Sequence, residues 1–353
     1  MLMQSKTFAS LFLLASAVLC APRLTVALDA PPSAQPAAAL ATPEIKATAG
    51  VVTITSASPG ALILYSLDKS DPGANAGPYL APIALPHGGV VKARAFSADH
   101  KQKSALAEAK IDSIKPGEPM PPTSVVPVTQ GRQFPGYDWA KRHAAICAAV
   151  KERKPKLVFI GDSITHFFGG EPSDIGHTGA AVWKKYYEAL NPVNLGYGWD
   201  RTENVLWRLG EGKELEGAAP KAAVIMIGTN NMGINTAPEI AEGVHQICER
   251  VHAASPDTKI LLLGIFPRGP KVDATRKKIE DINAILAKLD GQNNVTFLDI
   301  GPKFLAADGS ITKDIMNDFL HPTAKGYAIW SDAMELTLAK LLGEEPIKPD
   351  NQK

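Results

Sequence analysis

Ser163 stands just beyond a short apolar run, Leu157-Val158-Phe159-Ile160, in the segment Gly161-Asp162-Ser163-Ile164-Thr165. Far downstream comes Asp318-Phe319-Leu320-His321-Pro322, and between them Ile227-Gly228-Thr229-Asn230-Asn231 follows a second apolar run. A serine hydroxyl is a weak nucleophile until a base removes its proton, so Ser163 requires an imidazole, for which His321 is the candidate. Asp318 lies three residues before it, a spacing that lets a carboxylate fold back on the ring and hold one tautomer. Attack on a carbonyl builds negative charge on its oxygen, and donors must wait where that charge forms. Asn230 offers a side-chain amide and Ser163 its own backbone N–H. A third donor is available in the turn Gly196-Tyr197-Gly198-Trp199-Asp200, where glycines permit unusual dihedrals. The chemistry these types point to is acyl transfer. Ser163 and His321 are 158 residues apart, so only a fold could unite them.

Each residue alone has a plainer reading. A serine after a strand is commonly a turn residue, Asn230 a turn or cap, Asp318 a solvated carboxylate and His321 a surface histidine. Asp162 reads first as a turn former bonding nearby backbone, and Arg201 as a salt-bridge partner. Both are also candidate substrate contacts, Arg201 as a clamp on an anionic group. His166 and His177 flank a Gly-rich loop, and with Asp162 they fit no standard zinc spacing, so no metal is expected. His143 and His252 fall in helical segments and read as packing or surface residues. Cys147 and Cys248 lie in helical patterns and read as inert thiols rather than a disulfide framework.

The elements that must position these residues are legible around them. At 353 residues, with 45% hydrophobic and 21% charged, the chain has the length of about two ordinary domains. A net charge of +1 with no run of Lys or Arg gives no footprint for nucleic acid. Lys6 and the apolar run Phe8 to Leu19, too short to span a bilayer, read as a signal peptide over 1–27, with Thr25-Val26-Ala27 as cleavage site. The rival is lipoprotein processing at Cys20, to which Leu19 is a poor fit. Export without a stable transmembrane anchor is expected. Residues 28–42 form an Ala/Pro leader. From 43 to 114, short β-type runs (Val51–Thr55, Leu62–Ser66, Val90–Phe96) alternate with turn chemistry and predict a small all-β sandwich. A Pro-rich linker over 115–135 favours extended backbone. From 136 to 345, helices and continuous apolar strands alternate, ahead of a tail at 346–353. That pattern predicts an α/β fold with a three-layer, flavodoxin-like parallel sheet, with ligands at the carboxyl ends of the strands. Pro322 is expected at the first position of a helix running to Leu342.

The Gly161-Asp162-Ser163, Gly228-Thr229-Asn230-Asn231 and Asp318-to-Pro322 blocks together resemble the SGNH (GDSL-like) hydrolase family, over roughly residues 136–342. The stretch Asn194 to Thr202, running on to Val205-Leu206-Trp207-Arg208-Leu209, is similar to the branch containing platelet-activating-factor acetylhydrolase catalytic subunits. The resemblance implies Ser163 as nucleophile, His321 as base and Asp318 as its orienter, with no metal and no cofactor. One position departs: where the family's second-block glycine usually precedes the Asp, this chain has Trp199. The oxyanion donor there is a backbone N–H, which Trp199 can supply or Gly198 share, while the indole narrows the acyl pocket. Residues Ile63–Pro72 and Val91–Phe96 resemble the C-terminal β-domain of chitobiases and β-hexosaminidases, modules that commonly accompany carbohydrate-active enzymes.

These expectations converge on an exported serine esterase that removes small acyl groups, acetyl first, with a tilt towards acylated carbohydrate. A phospholipid or another simple ester stays open. The alternative from a different class is a non-catalytic carbohydrate-binding protein on a hydrolase scaffold. An α/β-hydrolase elbow is excluded because Thr165 occupies the place of its second glycine. The oligomeric state and the pairing of the cysteines are left open.

Overall fold

Five runs rich in β-branched and aliphatic residues form the central sheet: β8 (Leu157–Gly161), β9 (Pro192–Gly196) and β10 (Ala222–Met226), buried on both faces, with β11 (Lys259–Leu263) buried after its first residue and the half-buried edge strand β12 (Val295–Leu298). The computed structural model describes residues 39–73, 76–130, 137–173 and 175–348. The expected signal peptide, Cys20 and most of the leader lie outside the described residues. So do part of the linker and the end of the tail.

The sheet is parallel throughout, in the order β12-β11-β10-β8-β9. This is the flavodoxin-like arrangement, with the order reversing between β8 and β10, where the strand ends open a crevice. Side-chain alternation sorts the strand residues between two layers. Val158, Ile160, Val193, Leu195, Ile225 and Leu262 pack with helices α1 (Trp139–Arg153), α4 (Thr202–Leu209), α5 (Ala237–Ala254) and α6 (Ala274–Leu286). Leu157, Phe159, Val224, Leu261 and Leu263 pack with α3 (Ala180–Tyr186) and α7 (Ala324–Leu342). Each fully buried aliphatic side chain of this kind contributes on the order of 1.5–3 kcal/mol.

Register brings the site residues to one edge. Gly161 pairs with Gly196 on one side and Met226 on the other, so β8, β9 and β10 end level. Ser163, Trp199 and Asn230 follow those ends within a few residues.

The first module is two antiparallel sheets. β1 (Glu44–Thr48), β2 (Val51–Thr55) and β5 (Ile83–Ala84) form one. β3 (Leu62–Ser66), β4 (Gly77–Pro78), β6 (Gly89–Phe96) and β7 (Ala107–Ile111) form the other, in the order β4-β3-β6-β7. Between the sheets lie Val52, Ile54, Ile63, Tyr79, Val91, Ala93 and Ile111. The β1–β2 turn places Ala49 and Gly50 at φ 46° and 78°, the paired left-handed geometry of a tight hairpin.

The linker is not merely extended. Val128 inserts into the β-module core, and its backbone N–H and C=O bond to Glu203 and Asn204. Ser124 is buried, its hydroxyl donating to the Glu239 carbonyl and its own carbonyl accepting from Thr202 Oγ1. Cys147 and Cys248 are free thiols, pushed up to about 11 and about 12 by burial. Among the described residues no helix is long and apolar enough to cross a membrane.

Candidate active site

Ser163 opens a four-residue helix, α2 (Ser163–His166), where the sequence reading placed only a turn. The helix is capped by Asp162, whose Oδ1 accepts from the Ile164 N–H at 2.9 Å. The bend between β8 and α2 has no room for side chains at its base. A Cβ on Gly161 would stand 2.1 Å from Thr165 Oγ1 and 2.5 Å from the Met226 carbonyl. On the neighbouring strand, a Cβ on Gly196 would stand 2.3 Å from the His166 nitrogen.

Ser163 Oγ lies 2.9 Å from His321 Nε2, and His321 Nδ1 lies 2.6 Å from Asp318 Oδ2. The other oxygen of Asp318 accepts from the backbone N–H groups of Leu320 and His321, at 3.0 and 2.7 Å. Phe319, between them, adopts φ 60°, the left-handed geometry of the tight turn that folds the carboxylate back on the ring. Burial alone would raise the Asp318 carboxyl. The bonds from His321 outweigh it and hold the group below the usual carboxylate range. An imidazole so placed can take the hydroxyl proton while the carboxylate fixes its tautomer.

Two contacts join the histidine loop to the serine helix. Tyr327 of α7 donates its hydroxyl to the Ile164 carbonyl at 2.7 Å, and the Phe167 ring lies 5.1 Å from that of His321. α7 itself begins after Thr323, whose hydroxyl caps the Gly326 N–H. Pro322 is therefore outside the helix, not at its first position as expected. The capping threonine accepts the bond that a proline, lacking an N–H and a side-chain acceptor, leaves unmade.

The oxyanion candidates sit on two turns bonded to each other and to the serine strand. Tyr197 N–H donates to the Gly161 carbonyl, and Asn230 Nδ2 donates to the Asp200 carbonyl at 2.9 Å. The Asn230 amide has a second N–H for a further acceptor. Trp199 is 39% exposed at φ 60°, a backbone state glycine adopts more readily than any side-chain-bearing residue. Gly198 accepts on its carbonyl from Gln130 Nε2 at 2.8 Å. Asp200 is fully buried and accepts from Gln130 Nε2, Trp139 Nε1 and Arg208 Nε at 2.7–2.8 Å. Its burial pushes the carboxyl up to about 6, against the pull of Arg208.

Asp162 and Arg201, the two candidate substrate contacts, are both buried. Arg201 Nη1 donates to the Leu80 carbonyl of the β-module at 2.8 Å, and its Nε to the Asn230 carbonyl at 3.2 Å. It also pairs with buried Glu203 at 3.4 Å. Asp162 Oδ2 has no hydrogen-bond partner, and burial pushes its carboxyl up to about 7. Its place is beneath the serine, inside the protein.

Sequence reasoning missed Arg268. It is half-buried past the end of β11, with Nη1 donating to the Thr229 carbonyl and hydroxyl at 3.3 and 3.2 Å. A cavity of about 340 Å³ lies between Arg268 and Asp318. Its position after a strand end was the available signal.

Residues 159–329 match the family model described as GDSL-like lipase/acylhydrolase. The chain is 35% identical over 209 residues to the alpha2 subunit of rat platelet-activating factor acetylhydrolase IB, covering 59% of this chain and 86% of that one. The chain belongs to the GDSL-like lipase/acylhydrolase family. As a member it is a carboxylic ester hydrolase. The human alpha1 subunit is 34% identical over 230 residues, 65% of this chain and 94% of that one. A solved GDSL-like lipase from Bacteroides thetaiotaomicron is 19% identical with a TM-score of 0.46, covering 57% of this chain and 97% of that one. Outside the acylhydrolase region, residues 52–109 match the model described as Fn3 associated.

Proposed function

We propose that the protein is an exported serine esterase that removes acetyl and similarly small acyl groups. Ser163 attacks the ester carbonyl as His321 Nε2 takes its proton, and Asp318 holds the ring in the tautomer that can accept it. The tetrahedral oxyanion is met by the Ser163 N–H, the N–H of Trp199 or Gly198, and the Asn230 amide. The protonated imidazole then gives its proton to the departing alcohol. Water, deprotonated by the same ring, cleaves the acyl-enzyme. The observation that carries this is the unbroken hydrogen-bonded line from Ser163 Oγ through His321 to Asp318.

The alcohol half is proposed to be a carbohydrate, from the β-module over 43–114 that is joined to the hydrolase module over 136–345. Arg268, which lines the cavity next to Asp318, supports this reading as a side chain able to donate to hydroxyls of that half. A lipid acetyl ester is the second reading, favoured by relatives whose names are those of acetylhydrolase subunits. The test is turnover of p-nitrophenyl acetate, acetylated xylo-oligosaccharides and acetyl phospholipids by the wild type and Ser163→Ala. Loss of all turnover in the variant is expected, and equal rates would sink the assignment.

A further inference from the structure

A second cavity, of about 260 Å³, lies where the β-module meets the hydrolase module, and none of Ser163, Asn230, Asp318 or His321 lines it. One wall is aromatic. Trp139 and His143 stack in parallel with ring centroids 5.7 Å apart, and Trp207 leans on both at 5.5 and 5.3 Å. The opposite wall is the β-module turn running from Ser56 to Ala61. Among the described residues lining the cavity there is no Asp, Glu, Lys or Arg. Gln130 Oε1, on a buried lining residue, has no hydrogen-bond partner, while the Tyr79 hydroxyl interacts with the Ile54 backbone. Buried polar atoms in native proteins are ordinarily satisfied, so an unpaired one beside a cavity marks room for a ligand's polar group.

Aromatic faces on one side, hydroxyls and an amide on the other, and no charge select a ligand that is neutral, rich in hydroxyls and flat-faced on one side. We infer that this inter-module cavity is a binding subsite for an unmodified sugar ring of the saccharide chain, seated against the Trp139–His143–Trp207 wall and bonded by Gln130. The inference rests on the carbohydrate reading for its ligand class and deepens it. Neither module holds the site alone: the β-module supplies the turn and Tyr79, the hydrolase module the aromatic rings. Gln130 and Trp139 also donate to Asp200, and Gln130 to the Gly198 carbonyl, so the two lining residues brace the turn that carries Trp199. A sugar in the cavity is thus held against the same scaffold that presents the oxyanion donors.

The test is calorimetric titration of xylohexaose, cellohexaose and chitohexaose into full-length protein carrying Ser163→Ala, which removes hydrolysis. At least one is expected to bind, and Trp207→Ala in that background to weaken it tenfold or more. Ala57→Trp, which fills the cavity from an exposed position on the other wall, is a second variant with the same expected loss. No heat with any of the three sugars, or affinity unchanged by both substitutions, would overturn the inference. Turnover of p-nitrophenyl acetate by the wild type reports the esterase reading separately, since binding can persist where hydrolysis fails.

Discussion

Replacing Asp318 with Asn isolates what the carboxylate does for the histidine. Asn Oδ1 can still accept from the Leu320 and His321 N–H groups, as Asp318 Oδ1 does now, so the turn is kept. The amide NH2 then faces His321 Nδ1 where an acceptor stood at 2.6 Å. Two donors cannot share that gap, so the ring shifts to the tautomer bearing its proton on Nε2. That nitrogen is the one 2.9 Å from Ser163 Oγ, and once protonated it cannot take the hydroxyl's hydrogen. General-base assistance is worth about 10²–10⁴-fold. The Asp318 side chain is 51% exposed, so water partly stands in for it, and the lower part of that range is expected. The expected fall in kcat is about 10²–10³-fold, or about 2.7–4 kcal/mol of barrier. The drop in kcat/KM should equal it, because the carboxylate does not touch the acyl group. Steady-state turnover of p-nitrophenyl acetate with a parallel melting curve measures both quantities. A kcat within threefold of wild type, or a loss appearing only in KM, would refute the assignment of Asp318 and His321 to one proton-transfer unit.

Asn230→Ala removes the proposed oxyanion donor and should lower kcat about 10²–10³-fold with little change in KM, read in the same assay. Trp199→Gly keeps the backbone N–H and relieves the left-handed strain. Acetyl ester turnover should stay within threefold, while kcat/KM for butyryl and hexanoyl esters rises at least tenfold. Asp162 ionises near 3.8 in the unfolded chain but at about 7 in the fold, so the native state holds the extra proton between those values and stability falls as pH rises through that window. Asp162→Asn, followed by urea midpoints from pH 4 to 8, should flatten that fall by up to about 1.4 kcal/mol per pH unit. Asp200 leaves a residual slope of the same sign.

The parallel sheet was legible because β8, β9, β10 and β11 are nearly all apolar, a pattern that strands buried on both faces impose and amphipathic helices do not. Ser163, Asn230, Asp318 and His321 were legible as strand-end and turn residues in order along the chain. What the local pattern did not report depends on distant partners. Arg201 read first as a salt-bridge partner, but its bond to the Leu80 carbonyl was not legible because that residue lies 121 residues earlier. The linker looked extended because its prolines disfavour helix. Nothing nearby in sequence announces that Val128 fills the β-module core or that Ser124 bonds to Glu239 and Thr202. α2 was read as a turn because four residues carry too little periodicity to distinguish the two.

Trp199 is where local preference and global structure disagree most, and the surroundings explain why it persists. A left-handed non-glycine residue costs of order 1–3 kcal/mol and survives only where neighbours over-determine it. Here they do. The Gly198 carbonyl before it is held by Gln130, the Asp200 carbonyl after it by Asn230, and the Asp200 carboxylate by Gln130, Trp139 and Arg208. Arg208 is itself buried between Asp200 and Glu214 and lies 4.0 Å over the Tyr197 ring. A buried ionic cluster of this kind adds little net stability compared with apolar packing. Its effect is geometric, since the carbonyls flanking Trp199 and the Asp200 carboxylate are tied to partners outside the turn, and the Asp200 N–H closes the turn on the Tyr197 carbonyl. The N–H at this position is therefore aimed by the network and not by the side chain that bears it, which is why a tryptophan can stand where a glycine is the easier choice.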